Sequence, residues 1–576
     1  MDPKYGEGAY GVDRATLYKQ GFVEHIKGLA HTPSRLHERL FARRTIESQL
    51  SHDKAESGVE MVRKLWWLDM IIFGVGSMVG AGVFVITGVA ANGLSGPSVI
   101  LSYIVSGIAA LLSALCYTEF AVQLPVGGGA FAYVALTFGE FPAYITASML
   151  LMEYVLSAAA VARSFTSYLA ALCNQDSGKF LIHTPDYDLD FIAVGIIILL
   201  SVLLCWSTKE SSSFNLAVTA VHLTIMIFII IAGFAKGDGD NLKPFAPFGV
   251  RGVFNAATQV FFSYIGFDAV ATMAEEVIRP ERDLPIGIVG SVLFTTLLYV
   301  GMALALVLLQ RYDMIDPDAP YAAAFQAIGW SWAKYIVALA ALFGIITVLM
   351  VNLLGQARIL LVVCRSHLLP SIFAKINPRT QTPVNSTIIL GILCAAIGFV
   401  TDFATLANMV SIGTLFVFFV VAASLIFRRT YAPGVNKPWL PLIHIVIIAL
   451  FAIGMSTYYR VETKNWYGIA AFAAAWAVTT LSLHITCPTV YRAERWSAPL
   501  MPWLASASML LNAFLLGTLD YKSYIRFGVW AGIATFIYIV YGVHASWRHA
   551  QHLKTVETQG RHDQELKYIA EHRGET

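Results

Sequence analysis

The chain has 576 residues, of which 57% are hydrophobic and 13% charged, a balance that excludes an ordinary soluble enzyme and fits a protein crossing a membrane many times. A net charge of +2 offers no bulk attraction for nucleic acid. The 6 cysteines are scattered without CxxC or Cys/His metal spacing, so they read as small apolar core residues, and no metal or cofactor is implied.

Residues 1–64 are polar and basic, and read as a cytosolic tail with one amphipathic helix near Leu36–Leu50. No short apolar segment with a cleavage site precedes the first long apolar run, so no cleaved signal peptide is expected. Runs long enough to span, about 20 residues each, follow near 66–91, 98–124, 141–172, 190–206, 213–235, 252–276, 285–310, 331–366, 385–401, 404–427, 439–459, 466–486, 499–518 and 527–547. They predict an all-α polytopic membrane protein with about fourteen transmembrane helices. Basic residues in short loops set the orientation. Arg279–Arg282, Arg365–Arg379, Arg428–Lys437 and Arg492–Arg495 fall on the side of the basic N-terminal tail, and acidic groups such as Asp188, Asp240 and Asp316 on the other. Both tails, 1–64 and 548–576, are then cytosolic.

Spans 1–10 (65–427) divide into two sets of five, about 65–235 and 252–427, and spans 11–14 (428–547) read as an appended structural set. The first span carries Gly74, Gly76, Gly80 and Gly82, and the sixth carries Gly266 within Phe261–Asp268. Glycine weakens a helix and leaves its backbone approachable. At membrane depth a broken helix is tolerated only against protein or a watery cavity. Corresponding breaks in two halves point to an inverted-repeat secondary transporter with its site at the breaks.

A break at Gly80-Ala81-Gly82 makes the Ala81 and Gly82 N–H groups the start of a new half-helix, which favours an anion such as a carboxylate. The plainer role for these glycines is helix packing. In span 6, carbonyls at the end of the first half-helix, near Phe262 and Ile265, can accept from an ammonium, and Phe262 can lie over the guest as an aromatic lid. Amide donors on one side and carbonyl acceptors on the other describe a receptor for an α-amino acid.

Charged residues inside spans are functional suspects. Glu153 in span 3 is either an acid that attracts a cationic side chain or half of a structural pair with Arg163. Glu119 reads as structural or a gate contact, and Asp268 as a gate carboxylate just under the site. His222 in span 5 is a titratable base with a reference pKa of about 6.5, suited to proton coupling, although a membrane histidine is more often an interhelical hydrogen-bonding group. Asn352 in span 8 either lines the pocket or makes an interhelical amide hydrogen bond.

An ordered set of segments carries a family resemblance: HTPSRL (31–36), GSMVGAGVF (76–84), CYTEFAVQLPVGGGAFAY (116–133), VARSFTSYL (161–169), FFSYIGFDAVATMAEEVIRPERDLP (261–285) and LLGQARILL (353–361). The chain resembles the cationic amino acid transporters of the amino acid–polyamine–organocation superfamily, most closely the plant and algal branch. The resemblance implies a LeuT-like five-plus-five inverted repeat with discontinuous helices 1 and 6. It implies that the Ala81 and Gly82 amides meet the substrate carboxylate, that the Met78, Phe262 and Ile265 carbonyls meet its ammonium, and that Phe262 is the gate. Proton-coupled relatives have a lysine where this chain has His222, animal members a small residue where it has Asn352, and many plant relatives Asp where it has Glu153. The expectation is a proton-coupled importer of arginine, lysine or ornithine, working by alternating access as a monomer in the lipid bilayer of the plasma membrane, or otherwise of an internal membrane such as the vacuolar one. A carrier for neutral amino acids or polyamines is the rival within transport, and a non-transporting amino acid sensor the rival from another class. No HExxH, in-span GxSxG or paired-aspartate motif suggests an enzyme.

Overall fold

The computed structural model describes residues 29, 31–43, 63, 65–125, 128–185, 187–206, 209–377, 380, 382–432, 434–461, 465–493 and 495–551, with backbone alone at 209–217 and 275. Most of both predicted tails lies outside the described residues. A short helix does form in the N-terminal part, α1 (Thr32–Arg39), slightly earlier than expected. Pro33 in its first turn is pre-set for helix.

Every predicted apolar stretch is helical or divided into helical pieces. Span 1 becomes α2 (Trp67–Met78) and a second piece, α3 (82–95), in which π-turns Gly82–Ile86 and Ala91–Ser95 flank an α-turn. There follow α4 (Val99–Gln123), α5 (Gly129–Thr137), α6 (Glu140–Leu172), a two-stranded hairpin β1–β2 (Ile182–His183 and Asp188–Leu189), α7 (Phe191–Trp206) and α8 (Lys209–Lys236). Span 6 becomes α9 (Gly249–Val260), a 3-10 turn (Phe261–Tyr264) and α10 (Phe267–Thr272). The remainder comprises α11 (Pro280–Leu309), α12 (Pro320–Ala327), α13 (Ser331–Arg365), α14 (Val384–Val400), α15 (Phe403–Thr430), α16 (Trp439–Val461), α17 (Tyr467–Thr486), α18 (Trp503–Thr518) and α19 (Tyr521–Ile537), which runs on through a π-turn towards 551. Among the described residues, nine helical stretches are long and apolar enough to cross a membrane, and four more are apolar but shorter.

The helix starts follow local chemistry. Asp69 accepts from the Trp66 amide at 3.1 Å at the start of α2, and Asp402 from Thr405 at 2.8 Å at the start of α15. Pro280 and Pro320 open α11 and α12 at a position where no amide hydrogen is needed. Hydroxyls buried in the apolar helices turn back on the carbonyl one turn earlier, as Thr118 does to Ala114 (2.7 Å) and Thr414 to Val410 (3.1 Å). This satisfies them without a partner in lipid.

The long helices α6 and α13 pack along each other, and α15 lies against α6. The most apolar window of α6 and of α15 is 83% buried, whereas that of α17 is 11% buried. α6 and α15 therefore lie at the centre, and α17 lies at the flank. One buried ion pair joins the two sets. Glu119, at the end of α4, takes both the Nε and Nη2 hydrogens of Arg429, and its other contact is the Ala498 amide at 2.7 Å. A bidentate guanidinium with an added amide leaves little of this carboxylate unsatisfied. Glu119 thus ties the end of α4 to α15 and to the segment before α18.

The two ends of the described chain meet. Thr32 Oγ1 and Arg35 Nη1 lie 3.1 and 3.0 Å from the two ring nitrogens of His544, Arg35 stacks over Trp547 at 4.3 Å, and Trp547 donates to Glu38 at 2.8 Å. Arg39 pairs with Glu140, which also accepts from Tyr538 and Ser546. The N-terminal helix is thereby strapped to the start of α6 and to the last helix.

Candidate functional site

The two breaks face each other. In the first, Val79 leaves the helix with extended backbone after Met78, and Phe84 restarts it by donating to the Gly80 carbonyl at 3.3 Å. The opening amides of the second piece, Ala81 and Gly82, then have no intrahelical acceptor. In the second break, Ile265 is extended and Gly266 takes a left-handed conformation at φ 118°, which only glycine adopts without strain.

Close approach at this point requires glycine. A Cβ on Gly82 would sit 2.5 Å from the Ser263 Cα, and one on Gly266 2.7 Å from the Ser77 carbonyl oxygen. Ser77 donates to the Gly266 carbonyl at 2.9 Å. The Tyr299 hydroxyl, from α11, lies 2.8 Å from both the Met78 and the Ser263 carbonyl oxygens. One hydroxyl proton serves one acceptor at a time, so the pair keeps spare acceptor capacity beside the opening amides of α3. Removing that hydroxyl as Tyr299→Phe should destabilise the protein by about 1–3 kcal/mol, the cost of a buried unmet polar group. A thermal unfolding scan against the parent protein checks it, and an unchanged midpoint would show that the bridge contributes nothing.

Phe262 is buried, and its ring meets that of Phe403 edge-on at 6.1 Å. Phe403 in turn lines a cavity of about 720 Å³ whose wall includes Asp188, Asp318 and Asp402. Phe262 thus lies between the breaks and this acidic vestibule. Arg163 lines the same vestibule. Its guanidinium donates to the Asp188 and Thr401 carbonyls at 2.6 and 3.0 Å and lies 3.8 Å from Asp190. The pairing of Arg163 with Glu153 is therefore corrected. Ten residues along a helix separate the two by about 15 Å, and Arg163 is held at the end of α6 by the loops.

Glu153 is left without a counter-ion. It is fully buried, both carboxylate oxygens lack a hydrogen-bond partner among the described residues, and its Cβ passes 3.9 Å from where a Cβ on Gly413 would be. Asp268 lies within electrostatic reach of it. Tyr154, next to Glu153 in sequence, donates to Asp268 Oδ2 at 3.2 Å, and Asp268 Oδ1 has no hydrogen-bond partner among the described residues. Two carboxyl groups are thus brought together just beyond the span 6 break. One helical turn along α6 from Glu153, Ser157 accepts from the Asn352 amide at 2.8 Å. Asn352 therefore makes the interhelical hydrogen bond between α6 and α13.

His222 is buried on α8, stacked on Phe84 of α3 at 5.0 Å and 22°. A Cβ on Gly344 of α13 would lie 2.0 Å from its ring, and its Nε2 has no partner among the described residues. One turn earlier, Thr219 fills the space over Gly76. α8 accordingly touches span 1 on both sides of its break. Sequence reading passed over Tyr299, Ser263, Tyr154 and Phe403. Tyr299 alone left a signal, a polar-tipped ring within the apolar run of span 7.

Two helices interrupted at one level inside an all-α polytopic membrane protein define the build of a permease. Residues 65–481 match the amino acid permease family and residues 496–546 the C-terminus of AA_permease. The chain belongs to that family. It is 44% identical over 539 residues to cationic amino acid transporter 1 of Arabidopsis thaliana, covering 92% of this chain and 90% of the relative. It is 45% identical over 540 residues to cationic amino acid transporter 6, chloroplastic, of the same plant (91% and 93% covered), and 39% identical over 539 residues to cationic amino acid transporter 8, vacuolar (92% and 91%).

Proposed function

We propose that this permease carries cationic amino acids across its membrane by alternating access, coupled to protons. The observation that carries the reading is the meeting of the two breaks, where Gly82 rests on Ser263 and Gly266 on Ser77. Free amides of Ala81 and Gly82 then face a substrate carboxylate, and the Met78, Phe262 and Ile265 carbonyls its ammonium. Glu153, buried without a counter-ion among the described residues, supplies the attraction for a guanidinium or second ammonium. Desolvating a lone carboxylate costs several kcal/mol, so such a group is retained where a cation or proton visits it. The relatives' names support the same substrate class.

Substrate entry from the acidic vestibule brings Phe262 down over the guest and commits the site to the other face. In this scheme span 1 and span 6 rock against their neighbours, with a five-plus-five repeat and fourteen crossings as the frame. His222 touches the mobile half of span 1 through Phe84 and the long α13 through Gly344. Protonating it there puts a charge at that contact and biases the equilibrium between the two faces.

Uptake of labelled arginine into proteoliposomes, with and without an inward proton gradient, tests the whole. Gradient-driven accumulation is expected. Saturable binding without flux would leave a sensor and overturn the transport reading. His222→Asn should abolish accumulation above equilibrium while exchange persists, and accumulation with unchanged pH dependence would remove His222 from the coupling. The cell surface is the membrane assigned to this chain on its resemblance to plasma-membrane transporters. Relatives carry chloroplastic and vacuolar names, so imaging of the tagged full-length chain is the check, and signal confined to either internal membrane would reverse the assignment.

A further inference from the structure

On the face opposite the acidic vestibule lies a second recess, of about 620 Å³, lined by Arg63, Arg279, Arg282, Arg495, Glu281 and Gln123 among others. Its single carboxylate is already used, since Glu281 pairs with Arg495 at 3.0 Å. Arg63, Arg279 and Arg282 have no carboxylate partner among the described residues. The excess of basic loops on one face of a membrane protein is general, and it explains the sign of this recess. It does not explain two further features. Both polar atoms of the Gln123 side chain are buried without a partner among the described residues. The Arg428 Nε is also buried without one among the described residues, while its guanidinium lies 4.9 Å from the ring of Tyr491, another wall residue.

The backbone supplies the third element. Leu65 and Val277 form a parallel bridge, with Leu65 donating to Glu276 at 3.0 Å and Ile278 to Leu65 at 2.9 Å. This clasp joins the chain entering span 1 to the chain leaving span 6, the two broken helices. Arg63 stands two residues before Leu65 and Arg279 two residues after Val277, at opposite ends of this parallel bridge, and both line the recess. Arg279 is also the N-cap of the 30-residue α11, whose opening amides favour negative charge.

We propose that this recess binds a phosphate group, carried by a lipid headgroup or free in solution, and that the bound phosphate holds the clasp between the two broken helices. Arg63, Arg279 and Arg282 present forked donors to phosphate oxygens. The Gln123 amide adds a neutral donor.

The test uses the full-length protein in nanodiscs of phosphatidylcholine alone, in nanodiscs that also contain phosphatidylinositol 4-phosphate, and in detergent titrated with inorganic phosphate. The readouts are the unfolding midpoint and, by native mass spectrometry, retained phosphoinositide. A raised midpoint is expected with the phosphoinositide. If inorganic phosphate alone reproduces the rise, the source is soluble phosphate; if only the lipid does, it is the headgroup. Either result upholds the site. The R279Q/R282Q protein should retain phosphoinositide or phosphate about tenfold to hundredfold less well, the worth of two charge-assisted contacts. Where that double variant does not fold, R63Q, at an exposed residue ahead of α2, takes its place with the same readouts. No midpoint change with either probe, or wild-type retention by the variant, would overturn the proposal.

Discussion

Glu153→Gln is expected to weaken arginine uptake at least thirtyfold while leaving citrulline, the uncharged isostere of arginine, at its parent level. The carboxylate is buried, both oxygens are unpartnered, and Arg163 is engaged elsewhere. On the proposed reading, a cation entering the site is the group that offsets its desolvation. Removing one member of such a buried charge pair costs about 2–5 kcal/mol, at the lower end about thirtyfold in affinity. Competition of labelled arginine by both ligands in proteoliposomes is the measurement. Equal loss for arginine and citrulline would make Glu153 a structural group. No loss for either would place the cationic end of the substrate elsewhere, with Asp268 the next residue to neutralise.

Gly82→Ala should cut transport about a hundredfold with the protein still folded. The added methyl would lie 2.5 Å from the Ser263 Cα and 2.8 Å from its Cβ. A side-chain tip could swing away, but backbone cannot, so the two breaks must part by a fraction of an ångström to an ångström. Misplacing a binding constellation by about 1 Å costs on the order of a hundredfold. Gly93→Ala is the matched control, because nothing lies within 4 Å of a Cβ there. Initial uptake rates for both variants, alongside their unfolding midpoints, separate the site effect from a folding effect. Parent-level uptake by Gly82→Ala would mean that the contact of the two breaks is not part of the binding geometry.

Much of this architecture was legible before the structure. Long apolar runs leave few alternatives to helices, since only closed hydrogen-bonding patterns survive in lipid, and each run folded as helix. The breaks at Val79–Gly80 and Ile265–Gly266 were announced by glycine, whose cost in a helix asks for a reason. What stayed hidden depends on distance in sequence. The Tyr299 bridge joins residues 221 and 36 positions away, and nothing local marks it. α5 and α12 were missed because runs of 9 and 8 helical residues fall short of a span and lie in segments that read as loops. The Glu153–Arg163 pairing failed because spacing along one helix says nothing of the loops at its end, and those loops offered Arg163 carbonyl acceptors at closer range. The partner of the Asn352 amide, a serine 195 positions away, likewise left no local mark.

The Glu119–Arg429 pair bears on how the chain can be divided. The last four helices carry no break like those of spans 1 and 6, which invites the view of a ten-helix machine with a detachable appendage. The carboxylate at the end of α4, however, is completed by the Ala498 amide, and the Arg429 carbonyl accepts from both Val490 and Tyr491. Cutting the chain after α15 would strip these partners from a charge pair that lies out of reach of water. The last four helices are therefore not cargo that evolution or an engineer can drop at will. A minimal version of this protein has to keep them or first rewrite the end of α4 in uncharged residues.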